Sequence, residues 1–180
     1  MKVVAVQSSP NLDGLTSNLA KAVLRGVEAG GHETELIHLN QFDVKRCIAC
    51  ENGWGDCRKK GTCILEDDFE SLRGKITKAD ALVFATPVYW HDLSESAKSF
   101  LDRLRRCETG QEFESFKGRK AIGIASAGGS GRGAVRALYN LEDYLRRLGF
   151  EIFDLVPVTR FSKDHKLVML EEAGRHLVKV

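Results

Sequence analysis

Four short apolar runs, each separated from the next by a stretch of helical periodicity, limit this chain's fold more than any other feature. The runs are KVVAVQ from Lys2, ALVFAT from Ala81, AIGIAS from Ala121 and EIFDLVPV from Glu151. They are rich in β-branched residues, and several are apolar at consecutive positions. Such runs read as parallel strands covered on both faces. A fifth run, ETELIHL from Glu33, is more polar and suits a sheet edge. Between the runs, Leu15, Leu19, Val23 and Val27 share one helix face, as do Leu93, Ala97, Leu101 and Leu104. A third face carries Val135, Leu138, Leu141, Leu145 and Leu148 and stops at Gly149. A shorter helix from about Asp67 to Thr77 and a last one from about Leu167 complete the set. Strand and helix alternate five times, which predicts an α/β three-layer sandwich around a five-stranded parallel sheet. Right-handed crossovers give the strand order 2-1-3-4-5, with ligands beyond the carboxyl ends of strands 1 and 3.

Composition narrows the function classes. The 180 residues fit one domain spanning 1–180, without internal repeats or a linker. A formal charge of +2, with no basic stripe interleaved with aromatics, gives no nucleic-acid footprint. The N-terminal MKVVAVQSSP turns polar after four apolar residues, too soon for a signal peptide, and no later stretch could span a bilayer. The expected location is the cytoplasm. Five cysteines there read as thiols, metal ligands or redox groups rather than structural disulfides.

Three loops at the expected carboxyl edge hold unusual residues. The first, SSPNLDGLTS from Ser8 to Ser17, runs straight into a helix. Backbone N–H groups at that helix start, with its positive dipole end, suit a phosphate. Ser9, Asn11, Thr16, Ser17 and Asn18 can supply further donors, as a phosphomonoester needs. Leu15 stands where a Walker-type loop would carry Lys, so a nucleoside triphosphate is not indicated. A plain turn with an N-cap explains the same residues. The second loop, TPVYWHD from Thr86 to Asp92, offers Tyr89 and Trp90 as flat walls beside the strand end. The third, SAGGSGRGA from Ser126, lets backbone approach a planar ligand closely. Gly129, Gly131 and Ala134 imitate a dinucleotide fingerprint, with Asp154 at the required distance. That fingerprint belongs to a first strand, however, and Asp154 lies inside its own strand.

The segments SSPNLDGLTSN, ILEDDFESL, ADALVFATPVYW and AKSFLDR, in this order and spacing, resemble the NADPH-dependent FMN reductase and iron–sulfur flavoprotein group of flavodoxin-like proteins. The resemblance implies that loop 1 holds an FMN phosphate through Ser9, Asn11, Thr16, Ser17 and Asn18. Asn11 stands where the family often has a basic residue. It further implies that Pro87, Val88, Tyr89 and Trp90 line the isoalloxazine and that Ala127, Gly128 and Gly129 meet its far edge. NAD(P)H would be the electron donor, and a small molecule or protein the acceptor. A homodimer or homotetramer is implied as well. The flavin would carry the chemistry, so no catalytic acid, base or nucleophile is required. A flavin-free binding domain on the same fold is the rival of a different class.

Residues 40–65 form a long segment with little periodicity, and such loops are usually functional or cross-linked. Cys47, Cys50, Cys57 and Cys63 fall there as C-x2-C-x6-C-x5-C. Four thiolates could hold a [4Fe–4S] cluster or a zinc ion, or stay free. In the iron–sulfur flavoproteins the middle interval is two residues, whereas here it is ENGWGD. The loop leaves the carboxyl edge, so it is expected beside the flavin. Trp54 is expected to anchor it on the core.

Overall fold

In a computed structural model, residues 1–179 are described. Strands β1 (Lys2–Gln7), β2 (Glu33–His38), β3 (Ala81–Pro87), β4 (Lys120–Ala127) and β5 (Glu151–Thr159) form one sheet of order β2-β1-β3-β4-β5, every pair parallel. Helices α1 (Leu15–Ala29), α4 (Phe69–Thr77), α5 (Glu95–Thr109), α6 (Ala134–Arg147) and α7 (Lys163–Leu177) cover it, and two one-turn pieces, α2 (Cys50–Gly53) and α3 (Asp56–Lys59), lie in the long connection after β2. Fold class and strand order are those the alternation predicts.

Successive side chains of a strand point to opposite faces, which divides the core in two. Val3 and Ala5 of β1 pack with Leu19 and Val23 of α1 and Leu170 of α7. Val4 and Val6 pack on the other face with Phe69, Leu72, Phe100, Leu101 and Leu141. Each fully buried Leu or Phe contributes about 1.5–3 kcal/mol of apolar burial. These two layers keep the strand ends, and therefore the loops, in fixed register.

Several local readings need correction. Val135 is exposed, and Ala134 and Ala137 take the inward positions at the start of α6. Leu93 precedes α5, whose N-cap is Ser94, accepting a hydrogen bond from the Ala97 N–H. The last helix starts at Lys163, one turn before Leu167. Strand β5 is the second sheet edge and leaves Phe153 partly exposed, while Pro157 sits in it without interrupting a central ladder. Trp54 is not a core anchor. It is 64% exposed, and the Arg58 guanidinium stacks on it 4.5 Å from the ring centroid.

Candidate functional site

Loop 1 is built on Gln7, fully buried at the end of β1. Its Oε1 accepts the Ser9 N–H at 2.8 Å, and its Nε2 donates to the Ser9 carbonyl at 3.0 Å. Nε2 also lies 2.7 Å from His38 Nδ1, which then accepts. Burial, with Lys21 nearby, holds His38 below its ordinary range, consistent with a neutral ring. Ser9 Oγ accepts from the Asn11 N–H at 3.2 Å, and Asn11 Oδ1 from the Asp13 N–H at 3.2 Å. Asn11 thus spends its side chain on the turn, folded over Gly14. Asn18 is exposed and donates to the Asp13 carbonyl at 3.2 Å.

Helix α1 then starts with Gly14 as N-cap and no side-chain cap. Its first N–H groups have no intrahelical acceptor and are left for a ligand or water. Thr16 is buried, with Oγ1 2.7 Å from Ser126 Oγ at the end of β4. Ser17 is fully buried, and its hydroxyl has no partner. A buried orphan hydroxyl costs about 1–3 kcal/mol, so it marks a position that something else normally satisfies. Ser126 was not among the expected residues. Its only sequence signal is adjacency to Ala127, because its pairing with Thr16 spans 110 positions.

The second and third loops meet over the same strand ends. The Val88 N–H donates to the Ser126 carbonyl at 2.9 Å, prolonging the β3–β4 ladder. Tyr89 and Asp92 exchange backbone bonds of 2.9 and 3.0 Å, closing a turn whose tip, Trp90 and His91, has φ of 48° and 68°. Two left-handed non-glycine residues in succession are costly and persist only where the surroundings impose them. Here Asn140 holds Asp92 Oδ1 at 2.8 Å, and the His91 backbone rests on Gly133. Gly133 has φ +85°, and a Cβ there would come 2.6 Å from His91 Cα. Val88, Trp90, His91, Ala127, Gly128, Gly129 and Arg132 are among the residues around one open cavity of about 210 Å³. Pro87 and Tyr89 are not on its wall. Trp90 is 97% exposed, so it projects at the rim rather than forming a buried wall.

All four loop cysteines, joined by Cys107, surround a small second cavity of about 20 Å³ with Arg103 and Arg106 of α5. Charged side chains on α4 and α5 fasten this segment. Fully buried Arg103 makes a two-pronged ion pair with Asp67, one prong 2.9 Å, and donates to the Lys45 carbonyl at 2.9 Å. Glu70 accepts the Cys63 N–H at 2.9 Å, and Arg73 donates to the Gly61 carbonyl at 2.6 Å. Burial pushes the Cys107 thiol up to about 12; burial and nearby Cys50 also raise Cys57. No three His, Cys, Asp or Glu side chains among the described residues are arranged to hold a single ion. The donor set is nonetheless that of a tetrathiolate site, facing two guanidinium groups. One expectation is corrected. The loop leaves the carboxyl edge but runs down α5, so its cavity lies at the ninth to thirteenth residues of that helix, about 12–18 Å from its start. It is not beside the cofactor loops.

Comparison with known proteins gives these features a family. Residues 1–158 match the NADPH-dependent FMN reductase family. An iron–sulfur flavoprotein of Archaeoglobus fulgidus is 33% identical over 104 residues, 58% of this chain and 46% of that protein. One from Methanocaldococcus jannaschii is 32% identical over 132 residues, 73% of this chain and 64% of that protein. The chain therefore spans about half to two thirds of the length of these relatives. A solved NAD(P)H:quinone oxidoreductase from Methanothermobacter marburgensis has a TM-score of 0.75 at 23% identity, covering 100% of this chain and 97% of that one, which shows the shared fold. No helix among the described residues is long and apolar enough to cross a membrane.

Proposed function

Because this chain belongs to the NADPH-dependent FMN reductase family, we propose that it binds one FMN and passes reducing equivalents from NAD(P)H to a small-molecule or protein acceptor. The observation that carries the reading is the convergence of three loops on one carboxyl edge. There an uncapped helix start and the orphan Ser17 hydroxyl lie on the same side of the sheet as an open cavity bordered by glycines. Thr16, Ser17 and Ser126, with the first N–H groups of α1, would hold the phosphate. Ser9 and Asn11 would shape the loop rather than donate through their side chains. Val88, Ala127, Gly128 and Gly129 would border the ring, with Trp90 and His91 at its rim. When bound, FMN supplies the chemistry, accepting a hydride and releasing electrons singly or in pairs. The chain's own part is to orient the ring by backbone contact and leave one face open to the donor.

FMN is favoured over FAD because loop 1 offers one monophosphate site. Heat release and chromatography of the bound flavin test this: FMN is expected, recovery mainly of FAD refutes it, and a colourless preparation supports the flavin-free rival. Exposed Trp90, Val135, Tyr139 and Phe161 suit burial in a homodimer or homotetramer. Five unpaired thiols fit a reducing compartment such as the cytoplasm.

A second reading, electron transfer through an iron–sulfur cluster, is favoured by the shared cavity of Cys47, Cys50, Cys57 and Cys63. A tetrahedral zinc site would draw four sulfurs to about 3.8 Å from one another, given Zn–S bonds of about 2.3 Å. Metal analysis of anaerobically purified protein separates iron with sulfide, zinc alone, and neither.

A further inference from the structure

We propose that His38 is a positioning residue for the loop that holds the FMN phosphate: its neutral ring accepts the hydrogen bond that fixes the Gln7 amide, and that amide sets the course of loop 1. The inference rests on the reading of loop 1 as the phosphate site. Gln7 and His38 are paired neighbours at the ends of parallel strands β1 and β2. Gln7 is fully buried, so its amide has no bulk water to turn to. The backbone decides which way round that amide sits. The Ser9 N–H can only donate, and it lies 2.8 Å from Oε1; the Ser9 carbonyl can only accept, and it lies 3.0 Å from Nε2. The second hydrogen of Nε2 meets His38 Nδ1 at 2.7 Å. Nδ1 must then carry a lone pair, which leaves the proton of the neutral ring on its other nitrogen, Nε2.

A second proton on the ring reverses this contact. Nδ1–H would then face the Gln7 N–H, donor against donor. Turning the amide over would satisfy the ring, but it would set the Gln7 nitrogen against the Ser9 N–H and Oε1 against the Ser9 carbonyl. Either arrangement leaves buried polar groups unpaired, which is costly. Ser9 is the first fixed point of loop 1. Its Oγ accepts the Asn11 N–H, Asn11 Oδ1 accepts the Asp13 N–H, and the chain then enters α1 at Gly14. Displacing Ser9 therefore displaces the helix start offered to the phosphate. The charged groups facing the ring are Lys21 from α1 and Asp13 from loop 1, an ion pair of 3.3 Å, while its β1 neighbour Gln7 is uncharged. Burial and Lys21 hold the ring below its ordinary value of 6.5 against the opposing pull of Asp13, so the accepting form is the resident one at neutral pH. Charge alone predicts the opposite sign, because an added proton near an anionic phosphate would tighten FMN.

The test uses the full chain, flavin-free and FMN-loaded, as wild type, His38→Asn and His38→Phe. Asn places an oxygen near the position of Nδ1 and accepts without titrating, whereas Phe keeps a ring and removes the acceptor. Ring ¹⁵N NMR, with His38 assigned by its absence from His38→Asn, reads tautomer and pKa. Fluorescence titration from about pH 5 to about pH 8 reads FMN and riboflavin affinity across the histidine range. The expected ring is the Nε2–H tautomer, with a pKa that falls further when FMN binds. Dividing wild-type FMN affinity by that of His38→Asn at each pH removes the titration of the FMN phosphate itself. That ratio should be flat above the ring's pKa and fall towards about tenfold per pH unit below it, as the competent fraction shrinks. His38→Phe should bind FMN about 5-fold or more weakly than His38→Asn at the upper end of the range, and riboflavin should show neither effect. An Nδ1–H tautomer, a ring pKa that rises with FMN, or a ratio that stays flat through the measured pKa overturns the proposal. So does a parallel loss of riboflavin, because acid would then loosen the whole pocket. If His38→Phe does not fold, the tautomer and the wild-type to His38→Asn ratio still decide. A wild type that binds no FMN even at the upper end refutes the phosphate reading instead, and the tautomer, read without flavin, separates the two failures.

Discussion

Replacing Thr16 with Val tests the phosphate site in a way that separates it from the rest of the flavin pocket. The substitution keeps the side-chain shape and β-branching and removes one hydroxyl, buried and 2.7 Å from Ser126 Oγ. In the flavin-free protein the loss is one neutral hydrogen bond of about 1 kcal/mol, plus part of the cost of leaving Ser126 unsatisfied. The expected fall in Tm is about 2–4 °C for each kcal/mol lost in a chain of this size. In the complex, the hydroxyl would serve a charged acceptor, where a bond is worth about 1.5–3 kcal/mol. FMN affinity should therefore drop about 10–150-fold. Riboflavin, which lacks the phosphate, should bind wild type and variant within about threefold. Fluorescence titration of both flavins measures the difference directly. A double-mutant cycle with Ser126→Ala should show coupling in the flavin-free protein, because the two hydroxyls share one bond. Equal weakening of FMN and riboflavin would refute the reasoning, since Thr16 would then act on the ring or on loop order.

Ser17→Ala should move stability and affinity in opposite directions. Deleting an orphan buried hydroxyl should raise flavin-free stability by up to about 1 kcal/mol in a denaturant melt, while FMN titration shows weaker binding; lower stability would mean the hydroxyl has a partner in the folded state. Gly133→Ala should destabilise by about 1–3 kcal/mol and loosen flavin, because it combines positive φ with a 2.6 Å approach to His91; wild-type flavin affinity would show the turn at Trp90 and His91 to be irrelevant to the site. Asp67→Asn should cost about 3–5 kcal/mol by leaving Arg103 buried without its partner. Burial raises the Asp67 carboxyl, but Arg103 and the Lys45 and Phe69 N–H groups outweigh it and hold the carboxyl below its ordinary value near 3.8. A lowered native pKa stabilises the fold above that ordinary value. The contribution is lost as pH falls through the native pKa, so acid melts of Asp67→Asn should lack this component.

Sheet order was legible because it depends on periodicity. The runs at Lys2, Ala81 and Ala121 are apolar on both faces only if helices cover both. The same reasoning put Thr16, Val88 and Gly128 at one sheet edge, since strand ends converge there by topology. What sequence could not supply was distance between separate segments. Ser126 pairs with Thr16 across the sheet, and Gly133 seats His91; neither contact leaves a periodic trace. Trp90 looked like a wall because aromatic content says nothing about φ, and the left-handed turn throws the ring outward.

The cysteine loop shows the same limit in its spacing. Read linearly, the six residues between Cys50 and Cys57 look too long to bring the second and third thiols together. In three dimensions Glu51, Asn52 and Gly53 curl left-handed, and α3 restarts the chain at Asp56, so the extra residues are taken up in a reversal. That reversal is unfavourable on its own. Arg106, more than fifty positions away, donates to the Gly53 carbonyl, and glycine at 55 leaves room for the Cys50 sulfur. The anchor on α5 is a residue that a search through the cysteine segment would never reach.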